Sequence, residues 1–182
     1  MQAFYHAGTQ VMTIRTRLAS RHLNREPQRE RFSVLLAAVE RALSLATAAA
    51  LLDEPSSQGR IAGPESAALL LEAVVEHVRR TRFPHLPTRV SAIFLTPTME
   101  DARRFEELTP GKRGYIHCCL AEPDDGAVLD WNLIVPPARW DPGTPLDRLF
   151  EIATRYWSGE SSAHPIREFV THGQVMVLQR ME

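Results

Sequence analysis

Hydrophobic positions in this chain recur at helical spacing in some stretches and alternate or cluster in others, and each change of period marks an element. After Pro27, the residues Phe32, Leu35, Leu36, Val39, Leu43, Ala46 and Ala50 follow at three- and four-residue steps, which predicts a long helix over about 27–53 with a proline in its first turn. A Ser/Gly/Pro loop over 55–63 separates it from a second helix over about 64–81, where Leu70, Ala73, Val74, His77 and Val78 share a face. The pattern then shortens. Pro84 and Pro87 disfavour helix before them, Val90 to Leu95 is an apolar run too short for a typical helix, and Thr96-Pro97-Thr98 ends it, so a strand is predicted over Val90 to Thr96. Thr98 stands three residues before Asp101 and can cap a third helix over about 98–108, with Ala102, Phe105 and Leu108 as its apolar stripe.

The remaining stretches read as short strands and one more helix. Phe4, Tyr5 and His6 run into Gly8 as a first strand, and Val11 to Leu18 alternates as a second strand or an approach to helix. Tyr115 to Ala121 is rich in β-formers, and Pro123 to Gly126 is a hairpin-type turn that should return Ala127 to Asp130 as its partner. Thr144 and Pro145 open a helix over about 145–158, and His172-Gly173 is a two-residue hairpin signal between Arg167–Thr171 and Gln174–Arg180. These elements predict an α+β fold: a small, mostly antiparallel mixed sheet, curved or split, covered by four helices. Residues 1–182 form one domain in this reading, with a helical insertion at about 27–82, and 44% hydrophobic residues is ample for its core.

Charge narrows the function classes. The balance of 21 basic and 22 acidic residues offers no bulk attraction to nucleic acid or a membrane surface. The segment carrying Arg15, Arg17, Arg21, Arg25, Arg29 and Arg31 is offset by Glu26 and Glu30 and reads as a solvated face. No run is long and apolar enough for a membrane span, and the first ten residues lack the charged and apolar regions of a secretory signal, which predicts a cytoplasmic protein or a delivered effector. Cys118 and Cys119 are adjacent, so on a strand they face opposite ways and read as two ordinary thiols. No HExxH, CxxC, GxxxxGK[ST], GxGxxG or GxSxG occurs, which leaves no support for a metal, P-loop, dinucleotide-fold or serine-hydrolase reading. The residues better suited to function than to packing are Tyr5 and His6 at the end of the first strand and Glu168 at the start of the penultimate one.

The stretches RFPHLPTRVSAIFLTPTMEDARRF, ATRYWSG and REFVTHGQVMVLQRM resemble a family of bacterial domains of unknown function that begin with a Tyr-His strand and carry a Pro-x-x-Pro-Ser/Thr-Arg segment. More remotely, the layout resembles the ADP-ribosyltransferase fold, in which a first-strand His lies near NAD and a Glu begins a late strand. That resemblance implies NAD-dependent ADP-ribosyl transfer to a protein or nucleic-acid acceptor. Glu168 would face the oxocarbenium-like ribose left when nicotinamide departs, and His6 would orient the adenosine ribose. Backbone at Ala7 and Gly8 would hold the carboxamide, Tyr5 or Tyr115 would stack on a ring, and Arg89 or Ser91 would line the same cleft. The sequence departs from the pattern in two places: Ile166 replaces the Glu or Gln of arginine-modifying members, and Ser91 or Phe94 stands where a nicotinamide-stacking Tyr would be. From another class, a non-catalytic module of the same fold would bind a nucleotide or a peptide without turnover.

Overall fold

The computed structural model describes residues 1–18, 26–40, 64–108, 114–134 and 146–181. Four α-helices and six strands occur among them, in the order β1 (Gln2–Gly8), α1 (Glu26–Glu40), α2 (Pro64–Arg82), β2 (Ile93–Leu95), α3 (Met99–Leu108), β3 (Tyr115–Ala121), β4 (Gly126–Asp130), α4 (Leu146–Trp157), β5 (Arg167–Thr171) and β6 (Met176–Arg180). The strands form two antiparallel three-stranded sheets, ordered β1-β3-β6 and β2-β5-β4. One antiparallel residue pair joins them, Tyr5 with Thr96, through Tyr5 N–H to Thr96 O at 2.8 Å and Thr96 N–H to Tyr5 O at 2.7 Å. The expected α+β class and split sheet are therefore present, and no helix among the described residues is long and apolar enough to cross a membrane.

The β2-β5-β4 sheet lies between two apolar clusters. One face packs on the helices through Val170, Leu129, Leu35, Val74, Val78 and Trp157, and Trp157 Nε1 donates to Val75 O at 2.8 Å, tying α4 to α2. The other face meets the first sheet through Ile93, Leu95, Phe169, Phe4, Cys119 and Val177, with the Phe4 and Phe169 rings stacked at 4.3 Å. Helix α3 packs against β1.

Three expectations change. The residues Val90 to Thr96 do not form one strand: Thr88 Oγ1 accepts the Val90 N–H at 3.3 Å and caps a 3-10 turn over Arg89–Ser91, so extended pairing begins only at Ile93. Residues 11–18 are not a ladder strand either. They run along β6 through scattered bonds, Arg15 N–H to Val177 O at 2.7 Å and Leu18 N–H to Val175 O at 2.9 Å, while Met12 and Leu18 cap the second apolar cluster. Both expected hairpins are crossovers: β3 and β4 lie in different sheets, as do β5 and β6, and β4 pairs with β5. The two turns instead meet each other. Thr171 Oγ1 donates to Asp125 O at 2.8 Å, and a Cβ on Gly173 would stand 2.6 Å from Asp125 Oδ2, so only glycine fits there. The second half of the long helix expected over 27–53, the loop at 55–63 and the Thr144-Pro145 cap lie outside the described residues.

Candidate functional site

Glu168 is fixed from several directions. Thr98 Oγ1 accepts the Asp101 N–H at 3.0 Å and caps α3, and Asp101 Oδ1 in turn accepts the Arg167 N–H at 3.1 Å, which anchors the start of β5. Glu168 is the second residue of that strand and is 5% exposed. Its Oε1 accepts from Arg89 Nη1 at 2.5 Å and from the Tyr156 hydroxyl at 2.8 Å. Arg89 comes from the 3-10 turn before β2, and its other side grips Glu72 of α2 with two bonds of 3.1 Å. Its guanidinium also lies 4.7 Å from the Phe94 ring centroid and 5.3 Å from that of Tyr156.

Two carboxylates, Glu72 and Glu168, converge on the Arg89 guanidinium in this cluster. Burial raises the Glu168 carboxyl above its ordinary value, against the pull of Arg89 and Tyr156. Burial also disfavours the charge on Arg89, but Glu168 and Glu72 outweigh it and hold the guanidinium charged. Burial pushes the Tyr156 phenol well above its usual range, so it stays a donor to Glu168.

A second polar group sits at one end of the β1-β3-β6 sheet. His6 Nδ1 lies 3.0 Å from Phe94 O, and because a carbonyl only accepts, Nδ1 carries the proton and Nε2 keeps its lone pair in the neutral ring. Directly across the strand pair stands His117, and across from His117 stands Arg180. His117 is 0% exposed; its Nε2 accepts the Met12 N–H at 3.1 Å, and its buried Nδ1 has no hydrogen-bond partner. Arg180 lies 4.2 Å from the centroid of the Tyr115 ring. Burial lowers the pKa of His6, and that of His117 is lowered by burial and then by repulsion from His6 and Arg180.

Strand register decides which expected residues meet. Paired residues project to the same face and successive residues alternate. The pairs Tyr5 with Thr96, Phe94 with Val170 and Leu129 with Glu168 put Tyr5, Phe94 and Glu168 on one face. His6 falls on the opposite face with Phe4, Leu95 and Phe169, as the Phe4–Phe169 stack requires. The single cleft expected for His6, Arg89 or Ser91, and Glu168 is therefore not formed. Arg89 reaches Glu168; His6, Gly8 and Tyr115 gather at the other group; Tyr5 and Ala7 project away from His6. Ser91 is exposed beside His172, 3.5 Å from its Nε2, which also bonds Thr88 O at 2.9 Å.

Glu72, Tyr156, His117 and Arg180 were not singled out in the sequence. A glutamate on the apolar side of α2 and a tyrosine on the apolar side of α4 were the available signals, since buried hydroxyls and carboxylates need partners. Trp131 is 7% exposed and packs on Phe105 at 4.8 Å as core. Arg21 and Arg25 lie outside the described residues. Among the described residues no group of three or more His, Cys, Asp or Glu is placed to hold a metal ion.

No curated protein matches this chain. A family model described as a protein of unknown function, DUF2441, matches residues 15–118, more than half of the sequence. The matched span contains Glu72, Arg89 and His117 and stops short of Tyr156, Glu168 and Arg180. The chain belongs to the DUF2441 family.

Proposed function

We propose that this chain is a non-catalytic nucleotide-binding module, built on a split sheet that resembles the ADP-ribosyltransferase fold. The observation that carries this reading is the separation of the two groups. His6, Gly8 and Tyr115 gather on one face, while Glu168 lies on the other with its carboxylate engaged by Arg89 and Tyr156. Transition-state stabilisation needs a charge aimed at the developing cation and free to meet it. A carboxylate whose burial already favours its proton, and whose oxygen is bonded twice within the chain, is a structural group in this arrangement.

ADP-ribosyl transfer remains the second reading, favoured by one feature: Glu168 begins β5 on the same face as Tyr5, with β2 between them, inside a cluster of perturbed groups. A nicotinamide-release assay with NAD and candidate protein and nucleic-acid acceptors, paired with calorimetric titration of NAD and ADP, separates the two. The module binds NAD or ADP and releases no nicotinamide, and Glu168→Gln leaves its affinity unchanged. Release by wild type that falls by about 100-fold or more in Glu168→Gln overturns the module in favour of the transferase. Absence of both binding and release overturns the nucleotide reading altogether.

A further inference from the structure

We infer that the cross-strand row His6–His117–Arg180 is an anion site that takes a phosphate group of the nucleotide, which deepens, and rests on, the nucleotide-binding reading. The three side chains come from three adjacent strands and project from one face, because His6 pairs with His117 and His117 with Arg180. Among the described residues the charged groups that act on His117 are His6 and Arg180, and both repel its protonation. Two further elements pack there: the segment 9–18 brings a backbone N–H at Met12 to the ring, and α3, against β1, carries Glu106, whose Oε1 accepts the Gly114 N–H at 3.3 Å beside Tyr115.

The unpartnered His117 Nδ1 is the second observation. Its Nε2 accepts the Met12 N–H, so the neutral ring holds its proton on Nδ1, fully buried and without a hydrogen bond of normal geometry. A buried donor left unsatisfied costs free energy of the order of a lost hydrogen bond, and among the described residues only the Tyr115 backbone approaches the ring, short of normal hydrogen-bond geometry at Nδ1. A water could satisfy that one donor. It would not account for a guanidinium and a second imidazole in the same row, neither of them ion-paired to an acid among the described residues.

The three groups supply donors in different protonation states. Arg180 donates from its guanidinium, and His117 donates from Nδ1 while neutral. His6 is spoken for at Nδ1 by Phe94 O, so it adds a donor at Nε2 only when protonated. Gly8 leaves the space before that atom open: a Cβ there would lie 3.2 Å from His6 Nε2. Anion binding is thus coupled to uptake of a proton at His6, and affinity rises as pH falls, by at most about tenfold per pH unit for one proton.

Calorimetry with inorganic pyrophosphate, ADP and adenosine at pH 6.0, 7.0 and 8.0, together with ring-nitrogen NMR of the histidines, tests this. Pyrophosphate and ADP bind, adenosine does not, and affinity rises toward pH 6. Arg180→Ala weakens both anions by about tenfold or more, His6→Gln flattens the pH dependence, and pyrophosphate moves the His117 Nδ1 resonance. The anion row is overturned if ADP binds but resists competition by pyrophosphate and tolerates Arg180→Ala, which leaves the nucleotide reading standing. Pyrophosphate binding with no response to ADP or NAD supports the row and overturns the nucleotide reading. No response of His117 Nδ1 to any anion overturns the row as built here.

Discussion

At the scale of single residues, Arg89 carries the most weight, because it neutralises Glu72 and Glu168 together from a position 4% exposed. Removing it takes the buried cation from Glu168 and breaks both bonds to Glu72, so Arg89→Met is expected to cost about 3–5 kcal/mol, measured as a loss in urea stability with the m-value unchanged. Glu168→Gln keeps an acceptor for Arg89 and Tyr156 and costs much less. It also removes a pH term. The folded-state pKa of Glu168 is raised, so its contribution to stability is complete below the ordinary 4.5 and is lost as pH rises through the raised value. Wild type therefore shows this falling component and Glu168→Gln does not. Burial pushes the Cys119 thiol up to about 12 and also raises Cys118, so both react slowly with a thiolate-specific reagent at pH 8 until the protein is unfolded. The ordinary, unpaired character of Cys118 and Cys119 was legible from their adjacency in sequence. The partners of Glu168 and His6 were not, because which face a strand residue occupies depends on register across strands far apart in the chain.

Elements were legible where the signal is local. The 3.6-residue period gave the described parts of all four helices, and the Thr98-x-x-Asp101 spacing gave the start of α3, where Thr98 Oγ1 both accepts the Asp101 N–H and donates to Asp101 Oδ2 at 2.7 Å. Thr98→Ala loses both bonds and loosens the carboxylate that holds the Arg167 N–H, for an expected cost of about 1–2 kcal/mol by thermal or urea unfolding. Thr98→Ser should recover most of it. The strand pairings were not legible. Pro123-Asp124-Asp125-Gly126 and His172-Gly173 mark breaks between strands, yet a turn states only that one strand ends and another begins. Whether the next strand pairs with the last or crosses to another sheet depends on which apolar face it can bury, and Val128, 49% exposed, together with Leu129, 4% exposed, places β4 on β5 rather than on β3.

Across the whole molecule, the two sheets share one ladder pair and one apolar cluster, and the His6–His117 couple lies where they part. Its titration should dominate the acid side of stability. Both rings have pKa values lowered from the ordinary 6.5, so they are neutral in the fold while the unfolded chain takes up protons first. The sign follows: the stability they contribute is complete above 6.5 and is lost as pH falls toward their lower folded values. Protonating His117 would also displace the Met12 N–H from Nε2 and release the segment that caps Phe4, Leu95 and Val177. Urea midpoints measured from pH 8 to pH 5 should therefore fall with pH below about 6.5. This slope is opposite to the Glu168 component, so it is best read in the Glu168→Gln background. There, His6→Gln should remove part of it while leaving the midpoint at pH 8 within about 1 kcal/mol of its parent. Saturating pyrophosphate should reverse the trend by stabilising the protonated fold. A midpoint that is flat from pH 8 to pH 5 in the Glu168→Gln background would show that the two histidines are not held neutral by the seam.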